Sequence, residues 1–522
     1  MPLKRLLLSL CAAALACCLV ACGETSLNNF TWFVDSIPAN LDPQVAASSA
    51  DVTACTNLYT GLVRKAADGS IVTAGCQTYT ISPDGLQYTF TLAPDAVYLA
   101  RRGVASEYRI TADDYVFAFR RIYTAATRSP YTDTYAAIAN SAAVLAGSAA
   151  PETLGVSAID EHTVQFTLSQ PDEAFLQKLT LPGAAPCDEE FFQSTGGTYG
   201  LTAASTLASG SFYLHNWTAN GLFLRRTAEG DAINNLRLVQ NTEHADLTAA
   251  ELVAEEYCSA ALDQSGTAAG QNGIDYTDTT WCLVFNQRSK PLANADVRAA
   301  LAAAAYKVPL GLENTAGFLP TEGLVPAGTQ ANGTDYTALR GNILPQLGEA
   351  KALYQQTMAQ PDAPRVTGLT LLVPEGSEIA AISQAINAAW QKEFSLFFSI
   401  ETVSQTELQQ RLTTGSYTIA LAPLQLTQND PLALLARFER GGFTGWADAE
   451  YTALCRAAAQ TSGSERARLC AAAEQQLLQQ CVAVPLFCQQ RRLVLHSGVQ
   501  NLLFDPYGPV LDLTWATRSQ NN

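Results

Sequence analysis

Residues 109–123 read RITADDYVFAFRRIY. Thr111 and Asp114 stand three apart just before an apolar-periodic run, the spacing of an N-terminal capping box. Tyr115, Phe119 and Ile122 then fall on one helical face, so the stretch predicts an amphipathic helix. Antiparallel pairs flank it. Upstream, residues 79–82 and 86–92 are joined by Pro83-Asp84-Gly85, and Leu86, Tyr88, Phe90 and Leu92 alternate as a half-buried strand. Downstream, residues 156–159 and 164–168 turn at Asp160-Glu161. A helix between hairpins makes the first third of the chain α+β.

Outward from there, residues 49–62 are helical and amphipathic, and strands are expected near 211–214 and 222–226 with weaker patterning. Residues 281–285 read as a buried strand leading to Asn286 and a helix from Asp296 to Leu301. Strand 369–373, helix 379–393, strand 397–403, helix 407–413 and strand 417–421 follow in alternation. That order implies a sheet with helices packed on it. Two late strands are expected at 482–487 and 492–496.

The N-terminus is of another kind. Lys4 and Arg5 precede an apolar run over residues 6–21, short for a spanning helix and typical of a secretory signal. The run ends Leu19-Val20-Ala21-Cys22, which resembles the bacterial lipobox. Residues 1–21 are therefore expected to be removed and Cys22 to carry the lipid anchor. The mature protein would then sit outside the cytoplasm, tethered to a membrane.

Composition bounds the rest. At 522 residues and 48% hydrophobic, the chain can bury a core in more than one domain. A net charge of −17 argues against nucleic acid, whose binding needs a basic stripe. Nine cysteines follow Cys22, an odd number without CxxC spacing, so neither a zinc site nor a disulfide framework is expected. Several read as core fillers, with Cys470, Ala473, Leu477 and Cys481 at helical spacing behind a capping box from Ser462 to Glu465. A Cys55–Cys76 pairing is left open.

The ordered series of motifs resembles the family 5 extracellular solute-binding proteins, the peptide-binding subunits of ABC importers. TADDYVFAFRR and GVSAIDEHTVQFTL carry most of the likeness. IPANLDPQVAASSADVTACTNLYTGLVRKAADGSI, YTISPDGLQYTFTLAPDAVY, LTLPGAAP, VFNQRSKPLANADVRAALAAAAYK and VAVPLFCQQRRLVL extend it over nearly the whole mature chain. The resemblance implies a mixed α/β, two-lobed periplasmic-binding-protein-like fold of the class II type with an extra inserted domain. It implies domain I at 22–58, 183–278 and 498–522, the inserted domain II at 59–182, and domain III at 279–497. It also implies a monomer that closes on a peptide or other small solute and passes it to permease and ATPase subunits. A sensing or adhesion lipoprotein on the same fold is the alternative.

Ligand-binding candidates centre on LAPLQLTQNDP, residues 421–431, where an apolar strand runs into a neutral polar loop. In many relatives this loop carries an aspartate that pairs with the peptide's α-amine; counting back from Asp430-Pro431, Thr427 stands there. Leu424 stands where a tryptophan is common. Gln425, Thr427 and Asn429 offer neutral hydrogen bonds, and Trp446, Tyr59 and Asn40 complete the candidates. The family's usual residues are also replaced by Tyr98, by Tyr306 and across residues 208–212. A threonine cannot supply the charge-assisted bond that an ammonium needs in a dry cleft.

Catalytic patterns are absent. The four histidines make no HExxH, and neither G-x-S-x-G nor G-x-G-x-x-G occurs. Asp113-Asp114 belongs to a helix start and Glu255-Glu256 to a solvated face. No enzyme activity, cofactor or metal is expected.

Overall fold

The computed structural model describes residues 29–519, except 227, 267, 269, 310–316, 332–333 and 462. Residues 1–21, expected to be a signal segment, Cys22 and Ser462 lie outside the described residues.

In chain order, strand β1 (Asn29–Phe33) is followed by helix α1 (Ser49–Leu58). Strands β2 (Cys76–Ile81) and β3 (Gln87–Leu92), helix α2 (Ala112–Ile122), and strands β4 (Val156–Asp160) and β5 (Thr163–Thr167) come next. Then come β6 (Tyr213–Thr218), β7 (Gly221–Arg225), β8 (Asn235–Val239), β9 (Ala260–Asp263) and the long β10 (Gly273–Phe285). Helix α3 (Ala295–Tyr306), β11 (Thr370–Pro374), α4 (Ser377–Phe394), β12 (Ser399–Val403), α5 (Gln405–Thr414) and β13 (Ile419–Gln425) follow. Helix α6 (Gly463–Gln479) leads into a second long strand, β14 (Ala483–Leu495).

One sheet runs β6-β7-β8-β1-β9-β14-β10-β13-β11-β12. Its two ends belong to different cores. Phe30, Leu58, Leu214, Leu236, Leu493 and Leu511 share one. Trp281, Phe285, Leu371, Trp390 and Phe487 share another, on the α3–α4 side of the second half. Its opposite face packs Cys282, Leu424, Leu435 and Leu477. β11, β13 and the second part of β10 are nearly continuous buried runs, as expected of strands covered on both faces, while the edge strand β12 is mostly exposed. Only β10 and β14 take part in both halves.

A separate antiparallel sheet, β2-β3-β5-β4, packs Phe90, Val164 and Phe166 against Phe119 of α2. Residues 112–122 form the expected helix: the Thr111 N–H donates to Asp114 Oδ2 at 3.0 Å, completing the capping box. Tyr98 donates to the same oxygen at 3.1 Å, and burial pushes the Asp114 carboxyl up to about 7. From the far end of α2, Arg121 pairs with Asp42 and donates to Gln44 at 2.6 Å, tying this body to the segment after β1.

Two expectations change in detail. The helix expected over 49–62 stops at Leu58, because Arg64 takes the carbonyls of Thr56 (2.5 Å) and Tyr59 (3.0 Å) that a further turn would use. The two late strands are one, because Cys488–Arg491, polar as they read, continue the ladder with β10. All nine described cysteines are buried free thiols, Cys55 and Cys76 included.

Candidate functional site

The long strands set the site. β10 pairs with β14 from Gly273 to Val284, but with β13 only from Thr279 to Phe285. Beyond Gln425 the chain leaves β10, after a last bond from the Leu426 N–H to the Asp278 carbonyl at 2.8 Å. The first half of β10 therefore has a partner on one side only.

Hydrogen bonding shows which groups face the gap. Leu495 N–H donates to Asn272 O, so alternation turns Ile274 and Tyr276 toward β14 and the backbone of Asp275 and Thr277 away from it. Gln490 agrees: opposite Thr277, its N–H points away from β10 and donates to Gly317 O at 2.7 Å. Asp275 and Thr277 thus present backbone donors and acceptors along an open strand edge.

A cavity of about 390 Å³ lies along that edge. Residues 274–277 form one wall, Ala327 and Gly328 a second, and Phe504, Pro506 and Tyr507 a third, with Asn429 and Gln490 adding amides. The turn at Gly328 has φ of +85°, which favours glycine, and its N–H is held by Asp335. Thr277 ties the second wall on by donating to Ala327 O at 2.7 Å. Tyr276 and Phe504 meet edge to face, centroids 5.2 Å apart. Burial pushes the hydroxyls of Tyr276 and Tyr507 up to about 12, so both stay neutral hydrogen-bonding groups near neutral pH.

Behind this wall sits a buried ion pair. Asp278 accepts from Arg491 Nη1 at 2.9 and 2.7 Å, from Gln425 Nε2 at 2.9 Å and from Thr279 Oγ1 at 2.8 Å. Two other acids near the cleft are paired with arginine. Asp275 pairs with Arg492, and Asp430 pairs with Arg466 while capping the Leu432 N–H. Asp335 and Asp505 stand beside the cavity without an arginine among the described residues: Asp335 accepts from the Gly328 N–H and Asp505 from the Tyr507 N–H.

The sequence candidates fall unevenly on this geometry. Asn429 lines the cavity and accepts from the Gln330 N–H at 2.6 Å. Gln425 stands one layer behind, on Asp278. Thr427 is exposed on the loop between them, without itself lining the cavity. Leu424 is fully buried, its side chain on the core face of β13. Trp446 belongs to the same core, its ring 4.8 Å from Tyr451. Tyr59 is buried too and donates to Leu41 O at 2.7 Å, while Asn40 accepts from the Asp42 N–H. These four hold the fold where the structure puts them. Tyr276, Thr277, Gln490, Phe504 and Tyr507 line the cavity and are not among the sequence candidates. The available signal was a polar half, DYTDTT, joined to an apolar half in one strand, facing QQRR in another.

A sheet shared between two cores, with a cleft where its pairing lapses, defines a two-lobed binding protein of the periplasmic type. The chain belongs to the bacterial extracellular solute-binding proteins, family 5 Middle, whose sequence model matches residues 43–445. It is 21% identical to the dipeptide-binding protein DppE of Bacillus subtilis over 504 residues, 92% of this chain and 90% of that one. It is 24% identical to the probable deoxycholate-binding periplasmic protein YgiS of Escherichia coli, covering 87% and 86% of the two chains. The structure of Listeria monocytogenes OppA bound to peptide superposes with a TM-score of 0.66 at 20% identity, over 95% of this chain and all of that one.

Proposed function

We propose that this protein is the substrate-binding subunit of an ABC importer, taking a peptide or a related small solute between its lobes and delivering it to a membrane permease. The observation that carries this reading is the cavity along the open edge of β10. Backbone groups of Asp275 and Thr277, amides of Asn429 and Gln490, and the rings of Tyr276, Phe504 and Tyr507 suit a ligand with amide groups and apolar side chains. Relatives named for dipeptides and oligopeptides support the class of ligand. Hinge closure suits such a binder. Cys22 is proposed as the lipid anchor, which would hold the protein near its permease and raise the effective concentration there. The segments 22–58, 183–278 and 498–522, with 59–182 and 279–497, are proposed as the domains that move.

A second reading rests on the carboxylates. Asp275, Asp278 and Asp430 are each paired with arginine, so an ammonium group here would have to be met by Asp335 or Asp505, which have no cation partner among the described residues. A solute without a free amine needs neither of them, and YgiS, named as a probable deoxycholate-binding periplasmic protein, is a relative.

The test uses the chain beginning at Gly23. Native mass spectrometry identifies what co-purifies, and calorimetry compares a pool of tri- to pentapeptides with the same pool N-acetylated. Binding of the free peptides, lost on acetylation, supports the peptide reading and sinks the second. Equal binding of both pools supports a cleft that ignores the amine. Absence of peptide binding beside a co-purified non-peptide solute overturns the peptide assignment.

A further inference from the structure

The chain passes between the two cores twice, in β10 from Ile274 to Trp281 and in β14 from Phe487 to Leu493. A bend between the lobes must therefore run through this strand pair. The ladder is irregular there. Thr277 lies opposite Gln490 and Thr279 opposite Gln489, so Asp278 is an extra residue, a β-bulge at the crossing point. A bulge bends its strand and increases the local twist.

Asp278 is also the most heavily bonded side chain of the crossing. Only 2% of its side chain is exposed, against 13% for Arg491. Its carboxylate binds Arg491 on β14 and Gln425 at the end of β13, and its carbonyl takes the Leu426 N–H. Arg491 in turn lies opposite Tyr276 on the first-lobe side of the bulge. The bulged residue is thus tied to both neighbouring strands at the point where one of them departs. Neither Asp278 nor Arg491 lines the cavity. A buried carboxylate is costly to leave without its partner, so this pair resists any rotation that would separate it.

We infer that Asp278 and Arg491 are positioning residues, an ion pair that fixes the bend of the interlobe strands and so sets the resting angle between the lobes. Ligand capture then works against, or with, an angle the pair prescribes, since affinity falls with the fraction of molecules in the binding-competent state.

The inference is tested without ligand, so it stands or falls separately from the choice of solute. In the chain beginning at Gly23, Glu243→Cys and Lys392→Cys place one exposed spin label on each lobe, the native thiols being buried. Asp278→Asn keeps the shape and removes the charge. Glu474→Gln does the same to the buried Arg340–Glu474 pair inside the second lobe, which crosses no boundary. Melting temperature is read beside the label–label distance distribution. The expected result is a shifted or broadened distribution in Asp278→Asn alone, while both variants melt lower than the parent. Gln425→Leu, at the exposed end of the same tie, should move the distribution in the same sense and supplies the reading if Asp278→Asn does not fold. A parental distribution in the hinge variants, or an equal displacement in Glu474→Gln, overturns the inference.

Discussion

The two halves of β10 are one strand under two regimes. From Thr279 to Val284 it is paired on both sides, and every residue from Thr279 to Phe285 is buried. From Gly273 to Thr277 it is paired on one side, and none of the five is fully buried. Between them stands the bulge at Asp278. The difference teaches that the strand serves stability where its pairing is complete and, on the proposed function, recognition where its pairing lapses. Open backbone groups are a liability in a core, but beside a cleft they are what an amide-bearing ligand needs.

The comparison breaks most visibly at Phe285. Its side chain is fully buried in the second-lobe core. Phe285→Ala is expected to cost about 3–5 kcal/mol in urea denaturation, the usual range for an emptied aromatic site. Tyr276→Ala, on the open half, should lose only about 1 kcal/mol, the worth of its edge-to-face contact with Phe504. It should nevertheless weaken the co-purified ligand about tenfold, a change of about 1.4 kcal/mol in binding. Equal stability losses for the two variants would mean that the halves are not distinct in kind.

Much of this was legible in the sequence. The capping box at Thr111, the hairpin at Pro83-Asp84-Gly85 and the α/β alternation after residue 369 all formed, since each rests on local spacing. The site was less legible. Leu424 is a candidate by its position relative to relatives and Trp446 by its place in a glycine-rich stretch, and position along the chain does not tell which face a side chain takes. β13 alternates its faces, so Leu424 turns into the core while Gln425 turns out toward Asp278. The cavity walls come from residues some 230 positions apart, such as Tyr276 and Phe504, and only long-range register brings them together. Cys488–Arg491 read as a break between two strands because polarity in a strand resembles a loop until its partner is known.

Hydrogen bonding at the wall provides a smaller effect. Thr277→Val keeps the side-chain shape but removes the 2.7 Å bond to Ala327 O. The loss should lie near 1 kcal/mol, the net worth of one such bond. Because that bond holds the second wall, hydrogen exchange in the Ala327–Gly328 segment should quicken, while exchange in the Thr279–Phe285 half stays as in the parent. Faster exchange along the whole of β10 would deny that the bulge separates two regimes.

The smallest effect is expected at Thr427, and it sharpens the comparison most finely. Thr427 and Asn429 share one loop, the stretch by which the chain leaves β10 and opens the gap. Asn429 lines the cavity, whereas Thr427 is exposed and stands outside it. Thr427→Ala should change stability by no more than about 0.5 kcal/mol, as for other surface substitutions. It should also leave calorimetric affinity for the co-purified ligand unchanged. Asn429→Ala removes both a cavity amide and the anchor of the Gln330 N–H, and should weaken binding with little effect on melting. Were Thr427→Ala the more damaging to affinity, the ligand would lie along the loop, as its position in the sequence first suggested, and the open edge of β10 would lose its claim to be the recognition surface.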